Sequence, residues 1–83
     1  MAWVYILKGS SGRHYIGSTT DLARRLAEHR NGHTATTRRL GTCLEVVAAR
    51  EYPTLDEARA VERSLKRMKR PDYAIEWLRQ PHA

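Results

Sequence analysis

A single cysteine, Cys43, rules out an intramolecular disulfide, and no cysteines or histidines fall at structural-zinc spacing. Cys43 opens an apolar run and reads as a small core residue rather than a reactive thiol. Long apolar runs are missing as well. The N-terminal "MAWVYILKGSSG" is too short for a membrane span, and no charged segment precedes its apolar stretch. A cytoplasmic location with no membrane partner is therefore the expectation. No repeat, low-complexity tract or linker divides the 83 residues, so 1–83 reads as one domain with a modest core. Acidic residues are few: 9 Asp and Glu stand against 15 Lys and Arg, for a net charge of +6. Among the cations, lysine is scarce, with only Lys8, Lys66 and Lys69. Arginine's planar fork suits bidentate phosphate contact better than lysine's point charge. The excess points toward a polyanion partner without establishing one, since many small soluble proteins are basic.

What is present is 41% apolar and patterned. "WVYILKG" (3–9) is rich in strand formers, "SSGR" reads as a turn and "HYIGS" (14–18) as a second strand, which together predict a hairpin. "TTDLARRLAEHRNG" (19–32) predicts a helix, with Thr19, Thr20 or Asp21 as N-cap and Asn31-Gly32 as the stop. "HTATTRRLGT" (33–42) reads as a loop and "CLEVVAAREY" (43–52) as a third strand. "PTLDEARAVERSLKRMKR" (53–70) predicts a helix started by a Thr54/Glu57 capping box. Pro71 marks a boundary and can open a last short helix over 71–80. The order β-β-α-β-α-α predicts an α+β fold around a small three-stranded sheet flanked by helices.

Three places on these elements carry unexpected side chains. At about 100° per residue, Leu22, Arg25, Leu26 and His29 share one arc of the first helix. Leu22 and Leu26 must face the sheet, so Arg25 and His29 border the core while Arg24, Glu28 and Arg30 lie farther out. Either Arg25 snorkels and His29 caps the helix end, or both line a cleft. On the second long helix, Leu55, Ala58, Val61 and Leu65 form the apolar face and Glu62 sits on its shoulder. A carboxylate there needs a partner. It is either in an ion pair, with Arg25 among the candidates, or a metal ligand or general acid/base. On the strands, alternation aligns Tyr5 and Tyr15 as cross-strand neighbours if the register allows. Gly17 leaves room for close approach to the backbone. Taken together, two tyrosines, an arginine, a histidine and a glutamate suit phosphodiester hydrolysis. One carboxylate can hold a hydrated Mg²⁺, and an arginine fork can clamp a phosphate.

At these residues the sequence resembles the GIY-YIG nuclease family, most closely its small stand-alone bacterial members. The second strand motif is intact as Tyr15-Ile16-Gly17, whereas Trp3-Val4-Tyr5 stands where Gly-Ile-Tyr is usual. The following run, Ser18-Thr19-Thr20-Asp21-Leu22-Ala23-Arg24-Arg25-Leu26, places the family's arginine on Arg25 rather than Arg24, and its next-turn residue on His29. Glu62, followed by "KRMKRP", matches the family's metal-binding glutamate, and Ala74 stands where an asparagine is common.

The resemblance implies an antiparallel sheet and a divalent-metal-dependent endonuclease acting on DNA. Tyr5, Tyr15, Arg25, His29 and Glu62 would be its catalytic residues, with Mg²⁺ or Mn²⁺ on Glu62. Tyr15 would be the water-activating group and Tyr5 would orient water or share that task. Gly17, Ser18, Arg38, Lys66 and Lys69 are expected to contact nucleic acid. For the cluster Lys66, Arg67, Lys69 and Arg70, a merely solvated helix face stays open. Two rivals remain: a non-catalytic nucleic-acid-binding module serving a partner protein, and an interaction domain that uses Trp3, Trp77 and Leu78.

Overall fold

The computed structural model describes residues 1–30 and 44–80. Three strands, β1 (Ala2–Gly9), β2 (His14–Thr19) and β3 (Leu44–Tyr52), form one sheet. Three helices flank it: α1 (Leu22–Arg30), α2 (Leu55–Met68) and α3 (Pro71–Arg79). The order is the β-β-α-β-α-α read from the sequence. Strand order is β2-β1-β3 and both pairings are antiparallel. Among the described residues, no helix is long and apolar enough to cross a membrane.

The central strand explains the architecture. β1 is apolar at nearly every position, and Ala2, Val4, Tyr5, Ile6 and Leu7 are all buried. A strand with two apolar faces needs cover on both. On one face, Ala2, Val4 and Ile6 pack with Ala58 and Leu65 of α2 and Ala74 and Leu78 of α3. On the other, Tyr5 and Leu7 pack with Leu22 and Leu26 of α1. Full burial of Leu65 or Leu78 is worth about 1.5–3 kcal/mol each.

Local chemistry sets the boundaries. The β1–β2 turn places Gly12 at φ 85°, a left-handed conformation that glycine adopts without penalty. Of the three expected caps for helix α1, Asp21 is the one used, because Thr19 ends β2. Its carboxylate accepts from the Arg24 N–H at 3.1 Å, and the Asp21 N–H donates to Thr19 Oγ1 at 3.1 Å. Thr54 caps α2 by accepting from the Glu57 N–H at 3.2 Å. Lys69 stops α2 in the left-handed region at φ 55°, and Pro71 opens α3. The pairing of β1 with β3 slips between Ile6 and Leu7, opposite Ala48 and Val46, so Val47 is bulged. The bulge carbonyl accepts from Arg79 Nε at 2.8 Å, which ties the end of α3 to β3. Asn31, Gly32, Arg38 and Cys43 lie outside the described residues.

A candidate active site on both sides of the edge strand

Among the described residues β2 is an edge strand, and its alternation separates the candidate residues into two groups. Tyr15 and Gly17 share the α1 face. Ile16 belongs to the core under α2, and Ser18 follows it in phase. Tyr5 and Tyr15 are neighbours across the pair, as alternation allows, but on a diagonal. Tyr5 lies opposite Gly17 and Tyr15 opposite Leu7, so the tyrosines are diagonal neighbours. Their ring centroids are 6.1 Å apart.

The α1 face holds a compact ring cluster. The Tyr5 hydroxyl meets His29 Nε2 at 2.8 Å, and both residues are buried. The His29 ring lies 4.9 Å from that of Tyr15 and 5.8 Å from that of Tyr5, centroid to centroid. Burial, with Tyr15 beside it, pushes the Tyr5 phenol up to about 12, against the opposing effect of Arg25. Burial and then the Arg25 charge hold the His29 imidazole below its usual range, with Glu28 opposing them. At neutral pH both partners are therefore uncharged and share one hydrogen bond. Arg25 is kept cationic above all by hydrogen bonding to Tyr5, and also to Glu28 and Tyr15. Gly17 makes the cluster possible. A Cβ there would fall 2.7 Å from Tyr5 Oη and 2.9 Å from Tyr15 Cε1. The close approach expected at Gly17 is thus supplied by the protein's own tyrosines.

Glu62 belongs to the other face. Its Oε1 accepts from Ser18 Oγ at 2.5 Å, and its Oε2 pairs with Lys66 Nζ at 2.6 Å. Burial alone would raise its pKa. Hydrogen bonds from Lys66 and Ser18, with the charges of Lys66 and Arg59, outweigh this and hold the carboxyl below its usual range. Glu62 is consequently ionised and only 19% exposed. Its ion-pair partner is Lys66 and not Arg25, whose guanidinium pairs with Glu28 at 2.9 Å. Ser18, read as a nucleic-acid contact, directs its hydroxyl proton to Glu62.

Two surface clefts flank β2. One, of about 460 Å³, has an apolar floor including Ile16, Leu65 and Pro71 and is rimmed by Lys66, Lys69 and Arg70. The other, of about 360 Å³, is bordered by Ser18, Arg24, Arg25, Glu28 and Arg59. Ser18 lines one cleft and Lys66 the other, and both hold Glu62. Tyr15 opens on the first cleft and Arg25 on the second.

No group of three or more His, Cys, Asp or Glu that could cage a metal occurs among the described residues. The donor set at Glu62 is one ionised carboxylate beside one hydroxyl. That suits a Mg²⁺-like ion that keeps most of its water and completes its shell on substrate phosphate. Sequence reasoning missed Glu28, although its spacing from Arg24 and Arg25 matches helical ion pairing. It also missed the Ser18–Glu62 contact, which joins residues 44 apart and has no local signal. Arg38 is outside the described residues.

The three-stranded antiparallel sheet with these helices places the chain in a nuclease-type family. The GIY-YIG catalytic domain profile matches residues 1–74, and the chain belongs to the GIY-YIG family. It is similar to a UPF0213 protein of Streptococcus pneumoniae, at 40% identity over 70 residues, covering 84% of this chain and 71% of that one. A UPF0213 protein of Halobacterium salinarum is 34% identical, over 84% of this chain and 91% of the other. The solution NMR structure of the UPF0213 protein BH0048 from Bacillus halodurans superposes with a TM-score of 0.55. That match has 34% identity and covers 88% of this chain and 79% of that one. The family implies a nucleic-acid substrate, and its nucleases generally use divalent metal ions.

Proposed function

We propose that the protein is an endonuclease that hydrolyses phosphodiester bonds in DNA with one Mg²⁺ or Mn²⁺ ion held by Glu62. The observation that carries this reading is Glu62 itself. It is an ionised, part-buried carboxylate, gripped from both sides and attached to the strand that bears Tyr15. When bound, the ion lowers the pKa of water and offsets charge on the leaving oxygen. Arg25 clamps the scissile phosphate as charge develops, its fork fixed in place by Glu28. Tyr15 borders open cleft and orients or deprotonates the attacking water. Tyr5 is less suited to that step, because a buried phenol raised to about 12 keeps its proton. It serves instead with His29 to hold the Tyr15 ring and Arg25 in position. Lys66 and Lys69 contact the nucleic-acid backbone, and Gly17 gives the tyrosines their room.

The test is Mg²⁺- or Mn²⁺-dependent cleavage of a panel of single-stranded, duplex and branched DNA. Glu62→Ala and Tyr15→Phe should lose cleavage by at least about 100-fold while retaining binding. Absence of cleavage by pure wild type on every substrate, with salt-sensitive binding intact, would leave the non-catalytic binding module as the better reading.

A further inference from the structure

The reading above, on which this inference rests, gives Lys66 two demands at once. Its Nζ pairs with Glu62 Oε2 at 2.6 Å, yet the residue also lines the cleft rimmed by Lys69 and Arg70. Its side chain is 54% exposed, so solvent and not packed protein borders the path away from Glu62, whereas Glu62 is held from the opposite side by Ser18. Lys69 differs from Lys66, because no ion pair among the described residues involves it. We infer that Lys66 is a tethered counter-cation. In the resting protein it occupies the carboxylate oxygen that a divalent ion needs. Once displaced, it turns to the cleft and becomes a third ligand, with Lys69 and Arg70, for a backbone phosphate of the bound nucleic acid.

The device has a thermodynamic consequence. A cation on Glu62 and a polyanion in the cleft each release Lys66 from the arrangement that opposes the other. Each must therefore strengthen the other's binding, and by the same factor. Part of that coupling passes through one ammonium group and disappears with it.

The test is binding of a fluorescein-labelled DNA oligonucleotide, followed by anisotropy in EDTA across a salt series. Wild type, Glu62→Gln, Lys66→Gln and the double variant are compared. Removing the carboxylate liberates Lys66 without any metal. Glu62→Gln should then bind about three- to tenfold tighter than wild type at moderate salt, and its salt slope should steepen by about 0.7–0.9. In the Lys66→Gln background the same change should tighten binding by less than about twofold, with no change of slope. Equal tightening in the two backgrounds overturns the inference, because it reduces Glu62 to a general repulsive charge. Loss of salt-sensitive binding by wild type instead overturns the functional reading and this inference with it. A second measurement is independent of Glu62→Gln folding. Mn²⁺ titrated into Lys66→Gln, with water proton relaxation as readout, should bind about two- to fivefold tighter than into wild type. Unchanged or weaker binding overturns the inference.

Discussion

Gly17 of β2 sits directly opposite Tyr5 of β1, and the tyrosine ring fills the space that a side chain at 17 would need. Tyr5 cannot yield easily, being fully buried and joined to His29 at 2.8 Å. Gly17→Ala should destabilise the domain by about 1–3 kcal/mol through overpacking. Each kcal/mol should appear as roughly 4–8 °C in the thermal midpoint. A melt unchanged within 2 °C, on the order of the measurement's resolution, would show that the rings have another place to go.

Arg24 and Arg25 both pair with Glu28, at 3.3 and 2.9 Å. Their surroundings differ sharply, since the Arg24 side chain is 78% exposed and that of Arg25 33%. Arg25→Ala should lower cleavage by about 100-fold or more, whereas Arg24→Ala should stay within about threefold. Equal losses would mean that the wrong face of α1 has been assigned to the phosphate.

His29 couples stability to pH. It faces Tyr5, the Tyr15 ring, Arg25 and Glu28; burial and then the Arg25 charge hold its folded pKa below the ordinary 6.5, with Glu28 opposing them. The unfolded chain therefore binds a proton that the folded protein resists. Stability is full above about pH 6.5 and falls as pH drops toward the folded value. The depressed Glu62 carboxyl adds its own loss only below about pH 4.5. Thermal midpoints measured from pH 7.5 to 5 should decline in wild type and flatten in His29→Gln. A parallel decline in both would assign the effect to other groups.

Lys69 is the one described non-glycine residue at positive φ, and it closes α2 where glycine is the usual choice. Lys69→Gly should raise stability by up to about 1 kcal/mol by relieving left-handed strain. The same variant should weaken DNA binding and lower the salt slope by about 0.7–0.9. Chemical denaturation and anisotropy on one preparation would separate the two effects. A gain in stability with no loss of binding would remove Lys69 from the interface.

Periodicity and caps make most elements legible in the sequence itself. Asp21, Thr54 and Pro71 each act at a helix start as their side-chain chemistry requires. The arc shared by Leu22, Arg25, Leu26 and His29 also placed Arg25 nearer the core than Arg24. What periodicity lacks is any knowledge of which sheet face a helix takes. The sequence therefore suggested one cleft around five residues. The fold instead sets Tyr5, Tyr15, Arg25 and His29 on one side of β2 and Glu62 on the other. Register was equally hidden, because the diagonal Tyr5–Tyr15 relation depends on the hairpin turn and not on either strand alone.

The position of β2 at the sheet's margin carries one more consequence. Among the described residues no strand covers the outer edge of β2, and an open strand edge is also where a second sheet, from another copy of the chain, would add itself. Under the proposed function, Tyr15 and Ser18 need that margin clear, so self-association through β2 and turnover would be competing uses of one six-residue segment. Concentration-dependent loss of activity would be the signature of such pairing, and charged substitutions along β2 would trade protection from aggregation against access for substrate.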